Sequence, residues 1–335
     1  MTYTISNVTA QRIDKDTFKV SWENVDEKMD VEIYLAERPD SFDYTSPVAS
    51  VSGKTSVRIR ALGYNARPYF KVLPQRGPGI VTAERRVSLE GSVNFRDLGG
   101  YGTSNGHTVK WGQVFRSDSL ARLTDRDQAV LLKTGIRVVC DFRTPSEVNN
   151  APDRLPDAGG IEYLHLPVVH GEFDSIEAME RIRKGDIGWL SKDFMVKGYI
   201  RNIEEFGGIW GEVINRIIEP RSRPLVFHCT GGKDRAGVCA ALILLALGVP
   251  EETVILDHGL SNMYIAELVE SIYKWFRKEG IDPEKVAPYF TAPRECIVSL
   301  LEHMGKTYGS VAHYLKVRSG VDDQKLTLLR QELLE

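Results

Sequence analysis

An α/β domain with a central, mostly parallel sheet flanked by helices, preceded by a small all-β sandwich, is the fold class that this 335-residue chain predicts. Three observations carry it. The first ninety residues alternate apolar and polar in period two. From residue 90 onward, short apolar runs alternate with helix-period patterns, the signature of layered α/β architecture. Between 224 and 247 an apolar strand runs through a glycine-bearing loop into an apolar helix.

The period-two runs are Phe18, Val20 and Trp22; Val31, Ile33 and Leu35; Val57 and Ile59; Phe70 and Val72. Asp, Asn, Gly and Pro clusters separate them, as in a β-sandwich. The boundary falls near residue 86, leaving 87–335 for the second domain. There, Thr124-Asp125 opens a helix that Gly135 ends before a strand over Ile136–Asp141. Thr144-Pro145-Ser146-Glu147 reads as a capping box with proline in the first turn. Pro224–Phe227 is a buried strand, and Val238–Leu247 is a helix stopped by Gly248 and Pro250. Helical spacing continues over Asn262–Phe276, and two amphipathic helices flank Gly320.

Composition excludes several classes. A net charge of −3 lacks the basic excess of a nucleic-acid binder. No apolar run is long enough to span a bilayer, and Met1-Thr2-Tyr3-Thr4 does not open a signal peptide. Cys140, Cys229, Cys239 and Cys296 are too few and scattered for a disulfide framework or zinc cluster. No metal or cofactor is expected. Free thiol chemistry suits the cytoplasm; export stays open if a leader has been removed.

The informative segment is His228-Cys229-Thr230-Gly231-Gly232-Lys233-Asp234-Arg235. A strand–loop–helix junction offers unpaired N–H groups and the positive end of a helix dipole to an anion. The same field favours thiolate at Cys229. Five residues between Cys229 and Arg235 allow Thr230, Gly231, Gly232 and Lys233 to turn their amides onto one tetrahedral anion. The two glycines keep Cβ atoms out of the way. Arg235 can fork onto two phosphate oxygens, while His228 sits beneath and steadies Cys229. An activated sulfur facing a phosphate cradle points to phosphoryl transfer through a covalent cysteine.

The loop HCTGGKDRAG resembles the signature of the cysteine-dependent tyrosine phosphatases, in the bacterial branch typified by mycobacterial and Listeria enzymes. So do Asn94–Gly100 (NFRDLGG), Val114–Ser117 (VFRS), Val138–Arg143 (VVCDFR), Met195 with Tyr199, and Leu260-Ser261-Asn262. The likeness covers about 90–335. Residues 1–86, with Trp22 and Tyr69, resemble a fibronectin type III module, for which docking a partner, steering substrate and steadying the enzyme are the open roles.

The resemblance implies that Cys229 attacks phosphorus and that Arg235 and the loop amides hold the oxygens. Asp234 and Asp141 compete for the general acid. Asp234 is the choice, with Asp141 a supporting carboxylate that orients Arg235 or Lys233. Lys233 is implied to bind extra phosphates, and Arg96 is listed by the same likeness as a contact near the site. A helical lid is expected over 172–208, made basic by Arg181, Arg183, Lys184, Lys192 and Lys197. One departure stands out: Ala236 occupies the position where the branch has threonine, which implies slow hydrolysis of the phosphoenzyme. Phosphotyrosine proteins, with or without phosphoserine and phosphothreonine, are the expected substrates; phosphoinositides are the alternative, and a non-catalytic phosphate-binding scaffold is the remote one.

Overall fold

The structure is a computed structural model that describes residues 5–24, 29–63 and 67–335; Met1–Thr4 lies outside them. Two units divide the chain, Met1–Ser88 and Leu89–Glu335.

In the first unit the period-two runs become strands: β1 (Ile5–Arg12), β2 (Thr17–Asn24), β3 (Asp30–Ala36), β4 (Ala49–Ser52), β5 (Ser56–Arg60), β6 (Tyr69–Pro74) and β7 (Ile80–Ala83). They pair antiparallel into two sheets, ordered β1-β2-β5 and β4-β3-β6-β7. Successive strand side chains point to opposite faces, so the alternation loads one face of each sheet. Phe18, Val20, Trp22, Val31, Ile33, Ile59, Phe70 and Val72 share one buried cluster, with Leu35 and Val57 packed on it. The Phe18 and Phe70 rings meet at 5.4 Å and join the two sheets; such a pair contributes about 0.5–1.5 kcal/mol beyond its buried area.

The second unit runs β8 (Arg96–Asp97), β9 (Val114–Ser117), α1 (Asp125–Thr134), β10 (Val138–Asp141), α2 (Pro145–Asn150), β11 (Glu162–His165), α3 (Ser175–Arg183), α4 (Lys192–Glu205), α5 (Gly207–Ile218), β12 (Leu225–His228), α6 (Arg235–Ala246), α7 (Glu251–Tyr264), α8 (Ala266–Lys278), α9 (Pro283–Phe290), α10 (Arg294–Tyr308), α11 (Val311–Ser319) and α12 (Asp323–Leu333). Its five-stranded sheet has the order β11-β10-β12-β9-β8. The sheet is mixed, not parallel throughout. Four strands run parallel, but β8 joins antiparallel to β9 because the chain returns between them without a crossover helix.

The expected caps are in place. Thr124 and Asp127 cap α1 reciprocally and Gly135 ends it in the left-handed region; Thr144 and Glu147 do the same at the start of α2. The helical run expected over Asn262–Phe276 is instead two helices, α7 and α8, broken at Ile265. Helix α6 is the axle of the unit, with every residue but Leu245 buried. Each aliphatic side chain buried this way contributes about 1.5–3 kcal/mol. The loop between β12 and α6 is thus clamped at both ends by the most deeply buried segments.

Candidate active site

Strands β9, β12 and β10 lie side by side, with Ser117, His228 and Asp141 level at their carboxyl ends. The loops that follow therefore open on one edge of the sheet, where parallel α/β folds gather their ligands. Cys229 leaves β12 at this edge and is buried.

The loop is held by its carbonyls. The Ser119 amide donates to Thr230 O at 3.1 Å, and Asn94 Nδ2 to Gly231 O at 3.0 Å. Arg116 Nη2 donates to Gly232 O at 2.8 Å and Lys233 O at 3.3 Å. In a trans peptide the N–H points away from the C=O. With four carbonyls turned to the scaffold, the amides of Gly231, Gly232, Lys233 and Asp234 turn the other way. Asp234 caps α6 without a side-chain bond, so the first-turn N–H groups of that helix also stay available. Only one of the two glycines is required by conformation. Gly232 has φ +69°, and a Cβ there would lie 2.5 Å from the Asp118 nitrogen; Gly231 meets nothing closer than 3.6 Å.

Arg235 is buried and doubly bound to Glu147: Nη1 to Oε2 at 2.6 Å and Nη2 to Oε1 at 2.9 Å. Nη1 also reaches the carbonyls of Phe142 and Val168, and Nη2 reaches Thr230 Oγ1. Thr230 and Ser175 donate to the same carboxylate at 2.6 and 2.5 Å. Burial opposes ionisation of Glu147, yet Arg235 and these hydroxyls outweigh it and hold the carboxyl well below its usual range. Thus the carboxylate bonded to Arg235 is Glu147 and the one bonded to Lys233 is Asp234, where Asp141 was expected to orient one or the other. In sequence Glu147 is fully accounted for as the second half of a capping box, so nothing marked it.

Asp141 has a different task. It accepts from Arg143 Nε at 3.0 Å, Arg143 Nη2 at 2.7 Å and the Tyr163 hydroxyl at 2.8 Å. Burial works against its charge, but His228 and Arg143 bring its pKa down to about 2. A carboxyl so committed is a poor proton donor at neutral pH. His228 Nε2 lies 2.9 Å from Asp153 Oδ2, and Nδ1 lies 3.4 Å from the Cys229 carbonyl, the steadying position expected for it. Burial would lower the His228 pKa; Asp153 and Asp141 raise it. Asp141, Asp153 and His228 converge within 4.8 Å, and Arg143 is the cation among them.

Asp234 accepts from Lys233 Nζ on Oδ2 at 2.6 Å and from the Tyr199 hydroxyl on Oδ1 at 2.9 Å. Tyr199 also meets His258 Nε2 at 2.7 Å. Burial opposes the Asp234 charge, and Lys233 beside it favours it more, so its pKa is lowered. Lys233 is itself buried, 5.8 Å above the Tyr289 ring. It does not stand free at a mouth.

Arg96, expected as a contact near the site, spends its donors on protein groups. It is fully buried, pairs with Asp257 (3.2 Å) and Ser261 (3.0 Å), and holds the Asn94 side-chain oxygen. Asp257 also takes Arg116 at 2.7 Å. The NFRD and FRS arginines are thus joined through one aspartate on α7; Arg116 bonds the loop carbonyls directly, and Arg96 acts on the loop through Asn94. Ala236, the second residue of α6, is fully buried.

The stretch expected as a single lid divides. Met195, Tyr199 and Ile203 of α4 belong to the main core. Ile182 of α3 instead packs with Phe276 and Val286 of α8 and α9, beside Trp189 and Tyr289. Tyr289 lies near the charges of Arg235, Glu147 and Asp234, and burial leads the causes that raise its pKa. Through Tyr289, helix α9 thus lies beside the loop. The lid cations are largely engaged. Arg181 pairs with Glu177 and Asp186, Lys192 with Glu295 and Lys197 with Asp193, while Arg183 lies 5.4 Å over Trp275. Among the described residues no helix is long and apolar enough to cross a membrane.

The chain is similar to several known proteins. A tyrosine-protein phosphatase of Cupriavidus necator is 27% identical over 261 residues, spanning 76% of this chain and 92% of its own length. The triple specificity protein phosphatase PtpB of Mycobacterium tuberculosis is 29% identical over 280 residues, 73% of this chain and 98% of its own. Among solved structures, the core catalytic domain of the PP-IP phosphatase SIW14 from S. cerevisiae, in complex with citrate, aligns with 57% of this chain and 96% of its own at 12% identity and a TM-score of 0.30. The sequence profile of the tyrosine phosphatase family matches residues 87–335. The chain belongs to the tyrosine phosphatase family and is a cysteine-dependent phosphatase.

Proposed function

We propose that the chain hydrolyses phosphotyrosine in proteins through a cysteinyl-phosphate intermediate, with Cys229, Arg235 and Asp234 in the central roles. The thiolate of Cys229 attacks phosphorus in line. The ester P–O bond breaks, and the leaving oxygen takes a proton from Asp234. Water then attacks the phosphocysteine, gives its proton back to Asp234, and releases phosphate as the P–S bond breaks. Arg235 and the amides of Gly231 to Asp234 carry the charge on the non-bridging oxygens, where fixed donors supply most of the rate. The observation that carries this reading is the outward anchoring of four successive loop carbonyls beside a buried cysteine. Asp234 is ionised at rest, and an arriving phosphate dianion raises its pKa by repulsion, which favours the proton-donating form.

A second reading has a specific support. Lys233 places another cation within the loop, and the PtpB relative is named for triple specificity. Hydrolysis of phosphoinositides by the same steps is therefore the alternative substrate class. The two-sheet order of the first unit supports a fibronectin type III-like module, for which a protein partner is the proposed ligand. The four free, buried cysteines favour a reducing compartment.

The test is release of p-nitrophenol from p-nitrophenyl phosphate, without metal, by wild type and Cys229→Ser. Turnover that vanishes in the variant is expected; turnover that survives removes Cys229 from its role. Rates on phosphotyrosine peptides and soluble phosphoinositides then decide between the substrate classes.

A further inference from the structure

Tyr199 belongs to the core by burial and to the catalytic loop by its hydroxyl. Its ring is fully buried on α4, while the oxygen lies 2.9 Å from Asp234 Oδ1 and 2.7 Å from His258 Nε2. The direction of both bonds follows from charge. Ionised Asp234 only accepts, so the tyrosine proton goes to Oδ1. The tyrosine oxygen then needs a donor from His258, which fixes its Nε2–H tautomer. His258 Nδ1 is left bare, buried and without a hydrogen-bond partner among the described residues. Burial first, and then the charge of Arg116, disfavour a second proton on this ring. Around the chain of bonds, Arg116 and Arg96 oppose a charge on His258 while Asp234 and Asp257 favour it, and burial tips the balance to the neutral ring; His170, Cys296, Arg116 and His258 lie about Tyr199; Lys233 and His170 face Asp234.

We propose that Tyr199, oriented by His258, is a positioning residue that pins Asp234 through Oδ1 and leaves Oδ2 as the oxygen that carries the catalytic proton. The inference rests on the role of Asp234 given above. With Oδ1 committed to the tyrosine, the acid–base step runs through Oδ2, whose partner is the flexible ammonium of Lys233. The proton passes from Oδ2 to the leaving oxygen as the P–O bond breaks, and returns to Oδ2 from water as the P–S bond breaks. The tyrosine keeps its own proton throughout.

The full-length protein tests this with two substrates, p-nitrophenyl phosphate and phenyl phosphate, whose leaving group needs the acid far more. Tyr199→Phe keeps the ring and removes only the hydroxyl. It is expected to lower kcat/KM for phenyl phosphate by about 10-fold or more, part of the roughly 100- to 10,000-fold typical of general acids, and for p-nitrophenyl phosphate by less than about 3-fold. The basic limb of its pH profile should move upward, because the carboxylate has lost a donor. His258→Leu provides the second variant and should give the same leaving-group pattern. Equal losses on both substrates, or no loss on either, overturn the proposal. Asp234→Asn run alongside separates the causes. If it too lacks leaving-group dependence, Asp234 is not the acid and both readings fall; if it shows the dependence while Tyr199→Phe and His258→Leu do not, only the role of Tyr199 falls.

Discussion

Glu147 grips Arg235 with both carboxylate oxygens, at 2.6 and 2.9 Å, from the first turn of α2. Removing one partner of a buried ion pair costs about 3–5 kcal/mol, since the other charge is left uncompensated. Glu147→Gln is therefore expected to lower the thermal midpoint. It should also lower kcat/KM by about 100-fold, the cost of displacing a binding group by about 1 Å. In the proposed mechanism Arg235 holds phosphate and not the leaving group, so the loss should be equal for p-nitrophenyl and phenyl phosphate. A leaving-group-dependent loss would place Glu147 in proton transfer instead.

The two glycines of the loop should answer differently to the same substitution. Gly232→Ala forces a side chain into φ +69° and drives its Cβ to within 2.6 Å of the Ser117 and Asp118 backbone. Backbone cannot swing aside as a side chain can, so the loop must deform and turn amides away from phosphate. A loss of about 100-fold or more in kcat/KM is expected. Gly231→Ala meets only the Lys233 side chain at 3.6 Å and beyond, ordinary contact, and should keep activity within about 3-fold. Steady-state kinetics on the two purified variants checks the contrast; equal sensitivity would mean that the loop's shape is not what Gly232 secures.

Why the partners of Arg96 and Arg235 escaped the sequence while the loop did not is a matter of distance along the chain. Trp22, Val31 and Phe70 were legible because a strand's inward face repeats every second residue. Thr124, Gly135 and the Cys229–Arg235 loop were legible because caps and anion loops are local. Arg96 and Asp257 are 161 positions apart, and nothing near either residue signals the other. Glu147 carried a sufficient local explanation that hid its tertiary one. The division of the lid was hidden similarly: apolar residues at helical spacing, such as Met195 and Ile182, state that a face is buried but not which core it joins.

Buried histidines set the acid side of stability. Burial leads the causes that bring His170 down to about 4 and His258 down to about 3, against 6.5 in an open chain. Between pH 6.5 and about 4 the unfolded chain takes up protons that the native rings refuse. Unfolding is then favoured by about 1.4 kcal/mol per pH unit for each such histidine. His228 has the opposite sign: its pKa is raised, so its contribution is complete below 6.5 and lost as pH rises through the folded value. It cannot offset the acid loss. Asp141, at about 2, holds its contribution above the open-chain value of 3.8 and loses it below. Urea unfolding of the full chain should show a midpoint that falls steadily from pH 6.5 to 5; a flat profile would mean that His170 and His258 are charged in the native state.

Ala236 offers the sharpest kinetic test. The branch that this loop resembles has threonine after the arginine, where a hydroxyl would steady the departing thiolate as phosphocysteine is hydrolysed. Here the position is a fully buried alanine on the first turn of α6. If the resemblance carries over, the hydroxyl serves breakdown of the phosphoenzyme and not its formation, so intermediate should accumulate. Rapid mixing with p-nitrophenyl phosphate is expected to give a burst of p-nitrophenol close to one equivalent per enzyme, followed by a slower steady rate. Ala236→Thr should raise the steady rate and shrink the burst. It should also lower the thermal midpoint, since two added heavy atoms in a packed core cost about 1–3 kcal/mol. That opposition separates chemistry from packing: a substitution that merely disturbed the helix would lose stability and turnover together, whereas a restored leaving-group donor gains turnover while stability falls. Absence of both the burst and the gain would show that another group serves the thiolate.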